Sequence, residues 1–181
     1  AALANTNNFA AAIPHFQEAI RLAPRYPDPR ANLGIALIKT GRIEDGMAEC
    51  RRCLELHPMP AVAAEAQRYL AQGFRALNNP PAAVASYREA LAIEPNSALT
   101  RYRLAELLDE LGLAREAELE YRRTLELDPR YAGAHNNLAI LLIQSGDRAS
   151  ALHHFSEAVR IRRDYVGAQY NLGNALLSAG R

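Results

Sequence analysis

Apolar residues recur along the whole chain at spacings of three and four, as at Leu104, Leu107, Leu108 and Leu111. That spacing puts them on one face of a helix. Ala, Leu, Glu and Arg dominate, and all are good helix formers. Gly or Asn-Pro clusters interrupt the pattern about once a dozen residues, where turns belong. No alternating run is long enough to argue for a strand. The pattern predicts an all-α chain of short helices.

The pattern also repeats. A marker leucine stands at Leu33, Leu70, Leu104, Leu138 and Leu172, and its last three steps are each 34 residues. The first step is 37, and the three extra residues fit a longer turn within Met59 to Ala64. A small residue follows each leucine: Gly34, Ala71, Ala105, Ala139 and Gly173. A turn residue comes next, at Gly41, Asn78, Gly112, Gly146 and Gly180, and then a second small residue at Gly46, Ala83, Ala117 and Ala151. Cys50, Tyr87, Tyr121 and Phe155 follow, then Cys53, Ala90, Thr124 and Ala158. Pro58, Pro95 and Pro129 close three units, and Arg163 breaks the rule in the next. Small residues at fixed positions let two helix backbones approach, and the larger ones fill the space beside them. Gly or Asn accepts the left-handed conformation that ends a first helix, and Pro cannot continue a second. Each unit reads as helix, turn, helix, turn. One pair cannot bury its apolar face, whereas stacked pairs can.

This run of markers resembles the tetratricopeptide repeat family over essentially the whole chain. The resemblance implies a right-handed superhelical α-solenoid of stacked helix-turn-helix repeats. Residues 1–181 then form a single array with full repeats at 27–60, 64–97, 98–131 and 132–165. Residues 1–26 carry the end of an earlier repeat, with Ala12, Phe16, Ala19 and Pro24 at second-helix markers and Asn7-Asn8 at the turn. Pro14 falls inside that helix, so a bend or a late start is expected. Residues 166–181 carry a first helix only, with Gly180 as its stop. The array reads as a fragment of a longer protein.

Composition narrows the chemistry. A net charge of +1 gives no global electrostatic case for nucleic acid or an acidic membrane, and Lys39 is the only lysine. No apolar run approaches a membrane span. A soluble chain is expected, with a cytoplasmic setting favoured. Cys50 and Cys53 have the spacing of a redox or zinc half-site, with His57 one turn on. Both fall on packing markers, however, and no second half-site exists, so they read as core. His153 and His154 are adjacent and diverge by about 100° on a helix, too far to share a metal. No phosphate loop or nucleophile motif appears. No enzyme, cofactor or metal is therefore expected. Arg51-Arg52 and Arg122-Arg123 stand among Glu49, Glu55, Glu120 and Glu126, which reads as a salt-bridged outer face.

In the family, first helices line a concave groove where partner peptides lie. The resemblance nominates the residue before each marker leucine: Asn32, Tyr69, Arg103, Asn137 and Asn171. Arg68, Gln72, Arg75, Tyr102, Glu106, Asn136, Tyr170 and Asn174 should share the groove. An Asn amide both donates to and accepts from a peptide backbone. The column is similar to the asparagine ladder in the repeat array of O-GlcNAc transferase, interrupted here by Tyr69 and Arg103. Asn also bridges helices in such arrays, which is the competing expectation. The clamp that other members use on chaperone carboxylates is not matched: Ala31, Ile35, Tyr69 and Leu99 stand at its positions, and only Arg103 agrees. Three functions remain open: a scaffold binding an extended peptide or partner segment, the recognition arm of a larger enzyme such as a glycosyltransferase, and a head-to-tail homo-oligomer joined through the terminal helices.

Overall fold

The computed structural model describes residues 2–178. Its helices are α1 (Ala2–Leu22), α2 (Asp28–Lys39), α3 (Ile43–Glu55), α4 (Pro60–Ala76), α5 (Pro80–Ile93), α6 (Ala98–Glu110), α7 (Ala114–Leu127), α8 (Ala132–Ser145), α9 (Arg148–Ile161) and α10 (Val166–Ser178). Among the described residues there is no strand, and no helix is long and apolar enough to cross a membrane. Two compact units divide the chain, one ending at Pro95 and one beginning at Asn96. In the first, α2 packs on α3 and α4 on α5, with α1 against α2 and α3 against α4. In the second, α6 packs on α7 and α8 on α9, with α7 against α8 and α9 against α10. Each unit is a stack of helical hairpins, an α-solenoid architecture of helix-turn-helix repeats.

The hairpin turns follow from backbone sterics. Gly41, Asn78, Gly112 and Gly146 all adopt positive φ, between 55° and 90°, where a Cβ is penalised and Gly or Asn is favoured. Behind three of them the chain reaches back five residues: Arg42 N–H donates to Leu37 O, Asn79 N–H to Phe74 O, and Leu113 N–H to Leu108 O, at 2.8–2.9 Å. That bond satisfies a carbonyl the helix end would otherwise leave open. Gly180 lies outside the described residues.

Three expectations need correction. The extra residues at Met59–Ala64 do not lengthen a turn. The link between α3 and α4 has four residues, 56–59, as do the links at 94–97, 128–131 and 162–165. Instead α4 has 17 residues, where α2 has 12, α6 has 13 and α8 has 14. Three residues are close to one helical turn, Pro60 suits a first helical position, and the Ala-rich run after it favours helix. Next, α1 runs straight through Asn7-Asn8, so no turn forms there. Asn disfavours a helix only mildly, and no Gly or Pro adjoins the pair. Finally, Pro14 does not delay the helix; it sits inside α1. Arg163 supplies no proline, yet α9 still ends: Arg162 is extended, as Asp128 is at the end of α7, and its guanidinium lies 3.8 Å over the Tyr165 ring.

The packing markers are where the repeat requires them. Cys50, Tyr87, Tyr121 and Phe155 are buried, as are Cys53, Ala90, Thr124 and Ala158. The cysteines are therefore core residues. Burial pushes the Cys50 thiol up to about 12 and raises Cys53 as well, which suppresses the reactive thiolate. Native protein should resist iodoacetamide at about pH 8 and become modified at both cysteines only in denaturant. Mass spectrometry reads this directly, and native modification at the rate of a free thiol would contradict it.

A polar slot joins first and second helices at a fixed offset. Arg30 Nη1 of α2 donates to Glu49 Oε2 of α3 at 3.0 Å, and Arg101 Nη1 of α6 to Glu120 Oε2 of α7 at 2.8 Å. Each glutamate also takes a second arginine of its own helix, Arg52 or Arg123. One 34-residue step beyond Arg101 and Glu120 stand His135 and His154. Their Nδ1 atoms are 2.8 Å apart. The slot that holds an ion pair in two repeats holds two imidazoles in this one.

Candidate protein-binding face

In the first unit, Asn32 stands exposed on α2. Tyr69 of α4 is half-buried against a cluster of Ile38, Met47, Cys50, Ala66 and Leu70. Lys39 Nζ lies 5.3 Å over the Tyr69 ring and donates to Gln72 Oε1 at 3.3 Å. Arg68 is engaged by Glu94 at 3.4 Å and Glu65 at 3.7 Å. Tyr69 and Gln72 thus share a patch with Lys39, which the sequence reading marked only as rare.

The second unit holds a longer construction. Tyr102 of α6 lies between Tyr131, at 4.5 Å between ring centroids, and Tyr121, at 5.9 Å. Gly133 makes room for it, since a Cβ there would sit 2.9 Å from the Tyr102 hydroxyl. Burial raises both the Tyr102 and the Tyr121 phenol, so both stay protonated and able to donate. Asn137 Nδ2 of α8 donates to Tyr121 Oη at 3.2 Å and to Tyr102 Oη at 3.4 Å. Asn136 Nδ2 donates to Asn137 Oδ1 at 3.0 Å. Asn171 Nδ2 of α10 donates to Asn136 Oδ1 at 3.0 Å. Three asparagines nominated as peptide ligands therefore form a relay that ties α6, α7, α8 and α10 together. Asn136 is 5% exposed, with both amide ends engaged. Beyond the relay, Glu106 pairs with the exposed Arg103 at 2.8 Å.

Beside the relay lies an open cleft of about 320 Å³ between α8 and α10, floored by α9. Phe155, Ala175, Ile140 and Ile143 supply apolar surface; Gln144, Asn171, Asn174 and Ser178 supply polar groups. None of these eight residues is ionisable. Asn174 was nominated from sequence, whereas Ile140, Ile143, Gln144 and Ser178 were not. A signal for them existed: Ile140 and Gln144 stand one repeat before Asn174 and Ser178, so extending the column by one helical turn reaches them. Tyr170 is 69% exposed on α10 and lies outside the relay and the cleft.

Profiles described as tetratricopeptide repeat match residues 5–72, 64–107, and 102–161 with 136–181. The chain belongs to the tetratricopeptide repeat family. Solved structures share its fold at low identity. BtubC (BKLC) from P. vanneervenii is 20% identical with a TM-score of 0.79, covering 99% of this chain and 85% of that one. MamA is 20% identical with a TM-score of 0.76, covering 88% and 91%. YrrB, described as a TPR protein with an unusual peptide-binding site, is 18% identical with a TM-score of 0.71, covering 93% and 85%. No curated protein matches the sequence. Set against the tetratricopeptide repeat markers, the relay asparagines and every cleft residue but Phe155 lie on first helices, and the buried small residues lie between paired helices.

Proposed function

We propose that this chain is a protein-interaction scaffold that holds an extended segment of a partner protein on its first-helix face, anchored in the α8–α10 cleft. The observation that carries the proposal is the cleft itself. It is concave and largely apolar, and it carries a few convergent amides, which is the usual make-up of a recognition site. The Gln144 and Asn174 side chains make no hydrogen bond among the described residues, so they are available to a partner's backbone. The peptide-binding site named for YrrB supports the reading by analogy of fold.

Ile143 is 38% exposed, so a change there can be made without opening the core. Ile143→Asp and Asn174→Ala should each weaken binding of a partner that co-purifies with the protein by roughly tenfold or more. The helical content and melting midpoint should stay unchanged. Calorimetry with that partner is the test, and equal affinities for Ile143→Asp and wild type would remove the cleft from the account. A second reading, association of copies through α10, is favoured by Val166, Tyr170 and Leu177, which are 79%, 69% and 77% exposed. Sedimentation showing monomer alone at high concentration would exclude it.

A further inference from the structure

We propose that His135 of α8 and His154 of α9 form a binding site for one divalent transition-metal ion, Ni²⁺ or Cu²⁺ by geometry, held at their two Nδ1 atoms across the hairpin. The site is separate from the cleft and independent of the scaffold reading.

The sequence of the polar slot is the first observation. Its two members stand at one offset in all four full repeats: Arg30 and Glu49, Gln67 and Ser86, Arg101 and Glu120, His135 and His154. Three residues after the second member, the ion-pair repeats place an arginine, Arg52 or Arg123, where this repeat places Glu157. Both cationic positions of the slot are therefore gone here, and a carboxylate stands about one helical turn from His154. Two imidazoles beside a negative charge suit a cation. Glu157 itself is held by Arg160 at 2.7 Å. Among the described residues no three His, Cys, Asp or Glu side chains are placed to hold a metal together. The protein thus supplies two nitrogens, and water completes the coordination. The adjacent His153 is exposed and is not a ligand; the partner of His154 comes from the other helix of the hairpin.

The geometry is the second observation. His135 Nε2 lies 3.1 Å from the Pro129 carbonyl oxygen, which only accepts, so Nε2 carries the proton and Nδ1 a lone pair. A metal-ligating histidine is held in this way, its other N–H donating to a carbonyl. The two Nδ1 atoms are 2.8 Å apart and the rings are tilted by 39°. Cis nitrogens on a square-planar or octahedral ion stand about 2.9 Å apart for bonds of about 2.0–2.1 Å, whereas tetrahedral ones stand about 3.3 Å apart. The observed separation matches the first arrangement, which Ni²⁺ and Cu²⁺ adopt and structural Zn²⁺ does not. Without metal, an N–H···N bond joins the rings. On binding, the His154 proton passes from Nδ1 to Nε2 and two waters leave the hydrated ion, so no proton is released overall. His135 is buried and anchored at Pro129, whereas His154 is half-buried. Turning His154 about χ2, a soft torsion, frees its Nδ1 for the ion.

The test titrates the whole untagged chain, stripped of metal by a chelator, with Ni²⁺, Zn²⁺ or Cu²⁺ at about pH 7.5, where ligating imidazoles are neutral. Calorimetry should give one equivalent of Ni²⁺ at the site, bound roughly tenfold more tightly than Zn²⁺. Cu²⁺ should give a tetragonal electron paramagnetic resonance spectrum with coupling to two imidazole nitrogens. Two double variants remove both ligands with residue pairs that the fold already accepts. His135→Gln with His154→Ser copies Gln67 and Ser86, and His135→Arg with His154→Glu copies Arg101 and Glu120. Each should lose roughly tenfold or more in Ni²⁺ affinity and lose the two-nitrogen coupling, while circular dichroism shows the fold intact. His153→Gln should change neither. Ni²⁺ affinity unchanged in both double variants, binding lost in His153→Gln alone, coupling to a single nitrogen, tighter binding of Zn²⁺ than of Ni²⁺, or no binding of any of the three ions overturns the inference. None of these results bears on the scaffold reading, since no cleft residue is altered.

Discussion

Replacing Gly46 by Ala should lower stability by about 3 kcal/mol, while the same change at Gly173 should raise it by up to about 1 kcal/mol. Both glycines are helical and both occupy small-residue markers of the repeat. At Gly46 a Cβ would lie 2.6 Å from the Gly34 carbonyl oxygen, 2.7 Å from Ile38 Cγ1 and 2.9 Å from Ile38 N. Two of those atoms are backbone and cannot rotate away, so α2 and α3 would have to separate. Gly34 faces the same contact from the other side, with its added Cβ 2.6 Å from Cys50 Sγ and 2.8 Å from Gly46 O. The intrinsic gain of Ala over Gly in a helix, about 1 kcal/mol, is too small to compensate. At Gly173 nothing lies within 4 Å of an added Cβ, and the intrinsic gain stands alone. Urea denaturation of the two variants gives opposite signs if the helix hairpin is packed as described; two small changes of the same sign would contradict it.

Acidification from about pH 6.5 to about pH 4 should remove about 1–2 kcal/mol of stability from the α8–α9 hairpin, after discounting for partial solvent exposure. His135 Nε2 is 3.1 Å from the Pro129 carbonyl, which only accepts, so Nε2 carries a proton. In the neutral ring His135 Nδ1 is then an acceptor, and His154 Nδ1 must carry the proton of the 2.8 Å bond between them. That leaves Nε2 as the nitrogen at which the half-buried His154 ring would take up a proton. Burial holds His154 down to about 4, with His135, His153 and Arg122 adding to the effect and Glu157 opposing it. The unfolded chain binds that proton near the ordinary histidine value, so unfolding takes up protons between the two. Stability is therefore complete above about pH 6.5 and falls as pH drops toward 4. The slot offers its own control: His135→Arg with His154→Glu installs the ion pair found at Arg101 and Glu120. The double variant should keep its fold near neutral pH and lose this pH dependence between about 4.5 and 6.5, because neither new group titrates there. Hydrogen exchange of α8 and α9 against pH is the readout, and identical profiles for the two proteins would contradict the assignment.

The hairpins and their core were legible in the sequence because their determinants are local and repeated. Gly41, Asn78, Gly112 and Gly146 each announce a left-handed turn, and Cys50, Tyr87, Tyr121 and Phe155 announce one packing position. The three extra residues were visible, yet a longer turn and an added helical turn fit the same count; Pro60 and the alanines after it were the clue to the second. The asparagines were legible as a column but not in their roles. Whether Asn137 meets a partner or a tyrosine depends on Tyr102, which lies 35 residues away in sequence. The same separation divides Asn136 from Asn171. Residue type alone cannot distinguish an amide held between helices from one left open. Asn174 remained open, and the apolar wall beside it, Ile140 and Ile143, carries no polar signature to be noticed.

On the proposed function, a partner lies on the first-helix face of the second unit. The decisive measurement is hydrogen–deuterium exchange of the protein with and without a partner that co-purifies with it. Added protection is expected in residues 140–144 and 171–178. Protection confined to the second helices α7 and α9, with α8 and α10 unchanged, would contradict it.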